Sequence, residues 1–144
     1  MINFFVEDIT FDTTQLEPVP SWLQSIIHSH SSTLSSINYI FCSDEYLLNV
    51  NREYLDHDYY TDIITFDQRD SIDEPIEADI FISIERVQEN AAQLNFSFLS
   101  ELIRVLVHGV LHLLGYDDHS ETDRVIMRNL EEQYIELFHS QFSN

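Results

Sequence analysis

Two histidines in an apolar stretch are the residues of this sequence whose types and spacing could do chemistry. His108 and His112 lie in a run from Leu102 to Leu114 that only Arg104, these histidines and Gly109 interrupt. Side chains four residues apart share one face of a helix. A helix that is apolar on most of its circumference is a buried, central one. The pattern therefore predicts two imidazoles that converge from a rigid helix, which is half of a metal site.

The residues that follow this helix could complete the site. Gly115 is expected to end the helix in a left-handed conformation, and the turn after it would bring Asp118 and His119 back toward the histidine face. Three protein ligands leave a coordination position open, which is typical of a catalytic metal rather than a structural one. The alternative is a pair of core histidines with ordinary hydrogen bonds. The metal site is favoured because two polar groups on one core face are costly without partners.

The composition predicts one folded domain with an extreme charge. The chain has 144 residues, 44% of them hydrophobic, with ten Phe and seven Tyr, which is enough for one sizeable core. It has six Arg, no Lys and 26 acids, for a net charge of −20. Such a chain is poorly suited to non-specific attraction to nucleic acid or anionic lipid, which counts against RNA binding. Adaptation of a whole lineage to salt or cold is the alternative explanation of the charge.

The location expected for the protein is the cytoplasm. The single cysteine, Cys42, excludes a disulfide framework within the chain and suits a reducing compartment. The N-terminus lacks the basic region and long apolar core of a signal peptide. The run from Leu102 to Leu114 is too short for a membrane span and contains Arg and His.

Strands and helices alternate along the chain. Strands are predicted at Ile2 to Val6, Ile37 to Cys42, Thr61 to Phe66 and Ala78 to Ile84. Helices are predicted after Ser21 and Ser43, from Glu85 to about Leu94, and over the histidine run, with Ser97 or Ser100 as its N-cap. A last amphipathic helix opens at Ser120, and its predicted inner stripe is Val125, Ile126, Leu130, Tyr134, Ile135 and Phe138. The fold class predicted is a single α+β domain over residues 1–144, with a small mixed sheet of about four strands and the histidine helix packed across one face.

The segment from His108 to Asp117, His-Gly-Val-Leu-His-Leu-Leu-Gly-Tyr-Asp, resembles the signature of the YbeY family of metal-dependent endoribonucleases. The blocks Asn51 to Tyr54, Thr61 to Phe66 and Ala78 to Ser83 follow that family's order and approximate spacing, so the resemblance extends from about Tyr46 to Glu131. It implies a small mixed sheet with surrounding helices and one zinc ion, or another divalent transition metal, per chain. It also implies cleavage of single-stranded RNA in small-subunit ribosomal RNA 3′-end maturation and in ribosome quality control. The implied partners are ribosomal RNA and the ribosome or ribosomal proteins, and not DNA or a membrane.

The chain departs from the family pattern at the third metal ligand. The pattern ends Gly-Tyr-Asp-His, whereas here Asp118 follows Asp117 and His119 comes one residue later. Alignment without a gap makes Asp118 the third ligand and keeps Glu131 in step with the family's last helix; a shift by one residue makes it His119. Zinc accepts either ligand type, and Asp118 is favoured. A carboxylate would make the site harder and more open to manganese or iron.

A second departure concerns the charge that faces the substrate. The family usually has Arg, thought to face the substrate phosphate, where this chain has Leu55. Leu55 cannot take that role, and neither Arg52 nor His57, the nearby substitutes, matches the motif. The metal would then supply most of the stabilisation of transition-state charge.

The chemistry favoured is metal-assisted phosphodiester hydrolysis, in which the metal lowers the pKa of its bound water from about 15.7 to about 7. Gly109 follows His108 where the His-Glu-x-x-His zinc peptidases carry their glutamate base. The base is therefore unidentified; Asp62 and Asp79 are candidates for it, or for residues that orient the ligands, and the alternative is that each caps a backbone turn. Two other functions stay open: a different zinc hydrolase, such as a peptidase or amidase, and a non-catalytic, metal-stabilised factor whose acidic surface docks on a basic ribosomal protein.

Overall fold

A computed structural model of the chain describes residues 1–142, so that the last two residues of the predicted domain, Ser143 and Asn144, lie outside the described part. The described part contains four strands, five α-helices and a short 3₁₀ helix at Thr13–Leu16. The strands are β1 (Ile2–Val6), β2 (Leu34–Cys42), β3 (Ile63–Asp67) and β4 (Ile76–Ser83). The helices are α1 (Val19–Ser29), α2 (Asp44–Leu55), α3 (Ile84–Leu94), α4 (Phe98–Leu113) and α5 (Glu121–Phe142).

The four strands form one mixed sheet in the order β1-β2-β4-β3. β1 pairs with β2 and β2 with β4 in parallel, whereas the edge strand β3 pairs with β4 antiparallel. The parallel pairs need crossover connections, and α1 provides the one between β1 and β2. The prediction of a single small α+β domain with a four-stranded mixed sheet is confirmed.

Helix α4, which carries the two histidines, packs across one face of this sheet. The buried hydroxyl of Tyr39 on β2 donates a hydrogen bond of 2.9 Å to the carbonyl oxygen of Leu106. At Gly109, a Cβ atom would lie 3.1 Å from the Ile80 side chain and 3.2 Å from that of Ile63. The glycine therefore allows α4 to approach β3 and β4 closely. Helices α1, α3 and α5 add buried side chains to the same core.

The opposite face of the sheet is covered in part by α2. A second, smaller core unites Leu47 and Val50 of this helix with Cys42 and Ile64 of the sheet. Beyond it, the same face carries a row of hydrogen-bonded polar side chains from neighbouring strands, described below. Helix α4 and its histidines thus lie on one face of the sheet, and α2 and the row of polar side chains lie on the other.

Several details of the secondary structure differ from the prediction. Strands β2 and β4 begin at Leu34 and Ile76, before the predicted Ile37 and Ala78. Strand β3 begins at Ile63 rather than Thr61, and α1 begins at Val19 rather than after Ser21. Val125 and Ile126 were predicted to face inward on α5, and this is wrong: they are 47% and 44% exposed. Met127 and Glu131 are buried in this part of α5 instead, whereas Leu130, Tyr134, Ile135 and Phe138 pack against the core as predicted.

Within the described residues, no single helix is both long and apolar enough to cross a membrane. Helices α3 and α4 meet that criterion only as a pair, which is bent by 117° at the break between them.

Candidate metal centre

Three side chains converge where α4 ends. The Nε2 atoms of His108 and His112 lie 3.0 Å apart, and Asp118 Oδ2 lies 3.5 Å from the first and 3.6 Å from the second. All three side chains are partly exposed. The two histidines are brought together by their spacing on α4, and the aspartate returns from the turn that follows.

The other ring nitrogen of each histidine is already engaged. The Nδ1 atom of His108 lies 2.6 Å from Oε2 of Glu131 on α5, and Nδ1 of His112 lies 2.9 Å from the carbonyl oxygen of Tyr116. A carboxylate or carbonyl oxygen only accepts hydrogen bonds, so in both neutral rings the proton sits on Nδ1. Both Nε2 atoms then present lone pairs toward the Asp118 carboxylate.

This donor set fits a divalent metal ion. Two imidazole lone pairs and a carboxylate oxygen face one another with no hydrogen-bond donor between the neutral rings, an arrangement that a cation relieves. The three separations are near the about 3.3 Å between ligand atoms that a tetrahedral zinc at about 2.0–2.1 Å requires. Imidazoles that donate through Nδ1 to a carboxylate or carbonyl are also the usual ligands of such ions.

The two imidazoles titrate differently. Burial lowers the pKa of His108, but the hydrogen bond and negative charge of Glu131 outweigh it, so the net shift is upward. For His112, burial and the nearby positive charge of His108 lower the pKa. Protons and a metal compete for the Nε2 atoms, so acid should weaken metal binding.

The turn that carries Asp118 is held by the end of α4. Gly115 has a φ of +105°, as predicted from its position after the helix. The backbone N–H groups of Gly115 and Tyr116 donate to the carbonyl oxygens of His112 and Leu111, at 3.0 Å each. The buried guanidinium of Arg69 donates to the carbonyl oxygen of Leu113 at 2.6 Å. The helix end and the ligand turn are therefore fixed together.

A second brace supports this turn from α1. The Tyr116 hydroxyl lies 3.3 Å from Nε2 of His30, whose Nδ1 lies 3.0 Å from the carbonyl oxygen of Ile26. The ring of His30, which directly follows the last residue of α1, packs edge-on against the ring of Tyr116. Because the Tyr116 carbonyl oxygen accepts the hydrogen bond from His112, His30 indirectly supports a candidate metal ligand.

A pocket of about 320 Å³ opens beside the three side chains, between α4, α5 and the start of β3. His108 and Asp118 line it together with carboxylates and guanidiniums; these are Asp62, Glu101, Glu131, Arg104, Arg124 and Arg128. Burial raises the pKa of Asp62 and of Glu101 above their ordinary values. Arg104 Nη1 lies 3.1 Å from Glu131 Oε1, so that it anchors the carboxylate that holds His108.

The structure does not bring every predicted site residue to this place. His119, the alternative third ligand, is 83% exposed, and its Nε2 lies 4.0 Å from Asp117 Oδ1. Asp79 lies on the opposite face of the sheet, because Ala78 and Ile80 on either side of it point into the main core. Asp62 does line the pocket.

The two substitutes considered for the family arginine at Leu55 are also elsewhere. Arg52 is paired with Asp58, and His57 stacks on Tyr59. None of these residues lines the pocket.

Sequence reasoning gave no role to five charged residues that line the pocket: Glu101, Arg104, Arg124, Arg128 and Glu131. Their separation in the chain from His108 is no guide, because packing of α5 on α4 brings most of them together. The usable signal for Glu131 is the resemblance, whose alignment without a gap keeps Glu131 in step with the family's last helix.

Comparisons with known proteins identify the family of this chain. The family model described as endoribonuclease YbeY matches residues 2–139. The endoribonuclease YbeY of Flavobacterium psychrophilum is 46% identical over 96% of this chain and 97% of its own length, and that of Cytophaga hutchinsonii is 47% identical over 94% of each. The solution structure of TM1509 from Thermotoga maritima has a TM-score of 0.73 and 26% identity, covering 99% of this chain and 91% of that one. The chain therefore belongs to the YbeY family of endoribonucleases.

Proposed function

We propose that this protein is a divalent-metal-dependent endoribonuclease that cleaves single-stranded RNA. We further propose that it acts in maturation of the 3′ end of small-subunit ribosomal RNA and in ribosome quality control, in the cytoplasm, with ribosomal RNA and the ribosome or ribosomal proteins as partners. The observation that supports the catalytic part most strongly is the convergence of two imidazole Nε2 atoms and one carboxylate oxygen at the edge of a pocket lined by arginines.

In this proposal His108, His112 and Asp118 hold the metal ion, with zinc as the first candidate. When bound, a divalent cation polarises a phosphoryl oxygen and makes water more acidic. Glu131 and the Tyr116 carbonyl oxygen keep both Nε2 atoms unprotonated and aimed at the ion, since each accepts the proton of an Nδ1 atom.

Asp62 is the proposed proton acceptor. It lines the same pocket, and burial raises the pKa of its carboxyl toward the range in which a carboxylate is a useful base. The amide of Asn90 lies 3.4 Å from its Oδ2 and helps to orient it. Asp79, bonded on the other face of the sheet, has no part in this reaction.

The test is cleavage of a single-stranded RNA fragment from the 3′ end of small-subunit ribosomal RNA, followed on denaturing gels. Zinc-loaded protein should cut it, and a chelator should abolish the cutting. His112→Ala should be inactive because it removes a ligand, whereas His28→Ala, which removes an exposed imidazole, should cut like the unmodified protein.

A fully zinc-loaded protein that does not cut this RNA would contradict the proposal. Binding to ribosomes without cutting would then favour the non-catalytic factor, and cleavage of a peptide instead would favour a zinc peptidase.

A further inference from the structure

The six arginines of this chain are not equivalent, and two of them stand apart. Four form ion pairs with carboxylates: Arg52 with Asp58, Arg69 with Asp67, Arg86 with Asp44, and Arg104 with Glu131. Among residues 1–142, Arg124 and Arg128 have no carboxylate oxygen within 4.0 Å of a guanidinium nitrogen. In a chain with 26 acidic residues, these two cations are thus left for another anion.

Both of these arginines line the pocket beside the metal centre. They lie four residues apart on α5, one helical turn from each other, so their side chains project on the same side. The pocket that they share with His108 and Asp118 is the place where a substrate of the proposed reaction must bind.

The two arginines differ in how much of their hydrogen-bonding capacity the protein uses. Arg124 Nη1 donates to the carbonyl oxygens of Asp118 and His119, at 3.4 and 3.2 Å, so it braces the ligand turn. The exposed side chain of Arg128 makes no hydrogen bond or ion pair with any described residue. A guanidinium carries five N–H donors in a planar fork that matches a phosphate.

The charge of the whole chain makes this local cation necessary. A net charge of −20 repels a polyanion over most of the surface. Four acids, Asp62, Glu101, Asp118 and Glu131, line the pocket, and Arg104 and His108 already engage Glu131. The pocket cations without a carboxylate partner are therefore those of α5.

From these observations we infer that Arg128, with Arg124 beside it, binds a backbone phosphate of the RNA strand next to the phosphodiester that is cleaved. The inference rests on the proposed function, since it takes the pocket to be an RNA site. It assigns to α5 the phosphate contact that Leu55 cannot make.

The test is binding of a fluorescein-labelled single-stranded RNA with phosphorothioate linkages, which resist hydrolysis, to zinc-loaded protein by fluorescence anisotropy at several salt concentrations. Arg128→Ala should weaken binding by about 3- to 10-fold and lower the slope of log K against log salt by about 0.7, the loss of one phosphate contact to a single strand. Arg128→Lys should recover part of the affinity. Arg52→Ala removes the same charge from an exposed arginine outside the pocket and should leave both quantities unchanged.

Unchanged RNA binding in Arg128→Ala would overturn the inference, as would an equal loss in Arg128→Ala and Arg52→Ala, which would reveal only general electrostatics. These results are independent of catalysis. Binding that depends on Arg128 in a protein that does not cut RNA would support the phosphate site while contradicting the endoribonuclease proposal. If Arg128→Ala cuts RNA with the full kcat/KM of the parent, this supports the endoribonuclease proposal and contradicts the phosphate site.

Discussion

Each face of the sheet carries a cluster of polar side chains, and the two clusters differ in what they leave unsatisfied. On the α2 face, the Asp79 carboxylate accepts hydrogen bonds from the amides of Asn38 and Gln68, at 3.0 Å each. Asn3 extends this row by donating to Asn38 at 3.1 Å. Every contact in the row pairs a donor with an acceptor, so the row is complete without a further ligand.

On the α4 face, the same kinds of residue are arranged in the opposite way. The Nδ1–H groups of His108 and His112 donate to Glu131 and to a carbonyl oxygen, and the Nε2 lone pairs of both rings face Asp118. The cluster is short of a positive charge. Residue type alone does not distinguish Asp79 from Asp118; the difference lies in whether donors from neighbouring strands already occupy the carboxylate.

The largest expected effect is a loss of zinc affinity when the charge on Glu131 is removed. In Glu131→Gln the amide nitrogen must face either His108 Nδ1 or Arg104, so one donor loses its acceptor. We expect zinc affinity to fall by about 10- to 100-fold, the usual effect of losing a partner that orients a ligand, as measured by competition with a chelator. Asp79→Asn is the matched control and should bind zinc normally; a similar loss in both variants would contradict the separation of the two faces.

The second effect expected is a loss of folding stability when the contact between α4 and the sheet is crowded. Gly109→Val places a branched side chain where even a Cβ lies 3.1 Å from Ile80 and 3.2 Å from Ile63. Overpacking of this kind costs about 1–3 kcal/mol, and urea unfolding should show the loss. Val125 is 47% exposed on α5, so Val125→Ile, which adds bulk at the surface, should not change the midpoint. A Gly109→Val protein as stable as the parent would show that α4 is not tightly seated.

Glu101 offers a smaller effect with a defined pH dependence. Its side chain is buried, its Oε1 has no hydrogen-bond partner, and Arg104 Nε lies 3.6 Å away. Burial raises the pKa of this carboxyl above the ordinary 4.5, although Arg104 acts in the other direction. The folded state therefore holds the proton more tightly than the unfolded state, and stability falls as the pH rises from about 4.5 through the folded-state pKa.

Glu101→Gln should accordingly raise the stability at pH 7 by on the order of 1 kcal/mol, and the gain should vanish as the pH falls below 4.5. Thermal unfolding at several pH values measures this. Glu132→Gln, which neutralises an exposed acid on α5, is the control for net charge. A gain that is the same in both variants, or that grows in acid, would contradict the account of Glu101.

The features that could be predicted from the sequence are those that depend on local spacing. The pair His108 and His112 follows from the helical repeat, and the left-handed Gly115 follows from its position after an apolar helix. The alternation of apolar residues in β4 also places the Asp79 side chain on the face away from α4.

The features that could not be predicted depend on how α5 packs against α4. Glu131 reaches His108 across 23 residues of sequence, and the first turns of α5 bury Met127 and Glu131 rather than Val125 and Ile126. In a weakly amphipathic helix, tertiary contacts decide which residues are buried. The pocket arginines, Arg124 and Arg128, were beyond prediction for the same reason.

The central claim is that Asp118, and not His119, completes the metal centre with the two histidines of α4. Titration of metal-stripped protein with zinc in a calorimeter tests it most directly, with Asp118→Ala and His119→Ala compared with the parent. The account predicts one zinc per chain for the parent and for His119→Ala, and an affinity lower by more than about 100-fold for Asp118→Ala. Normal zinc binding by Asp118→Ala together with its loss in His119→Ala would contradict it.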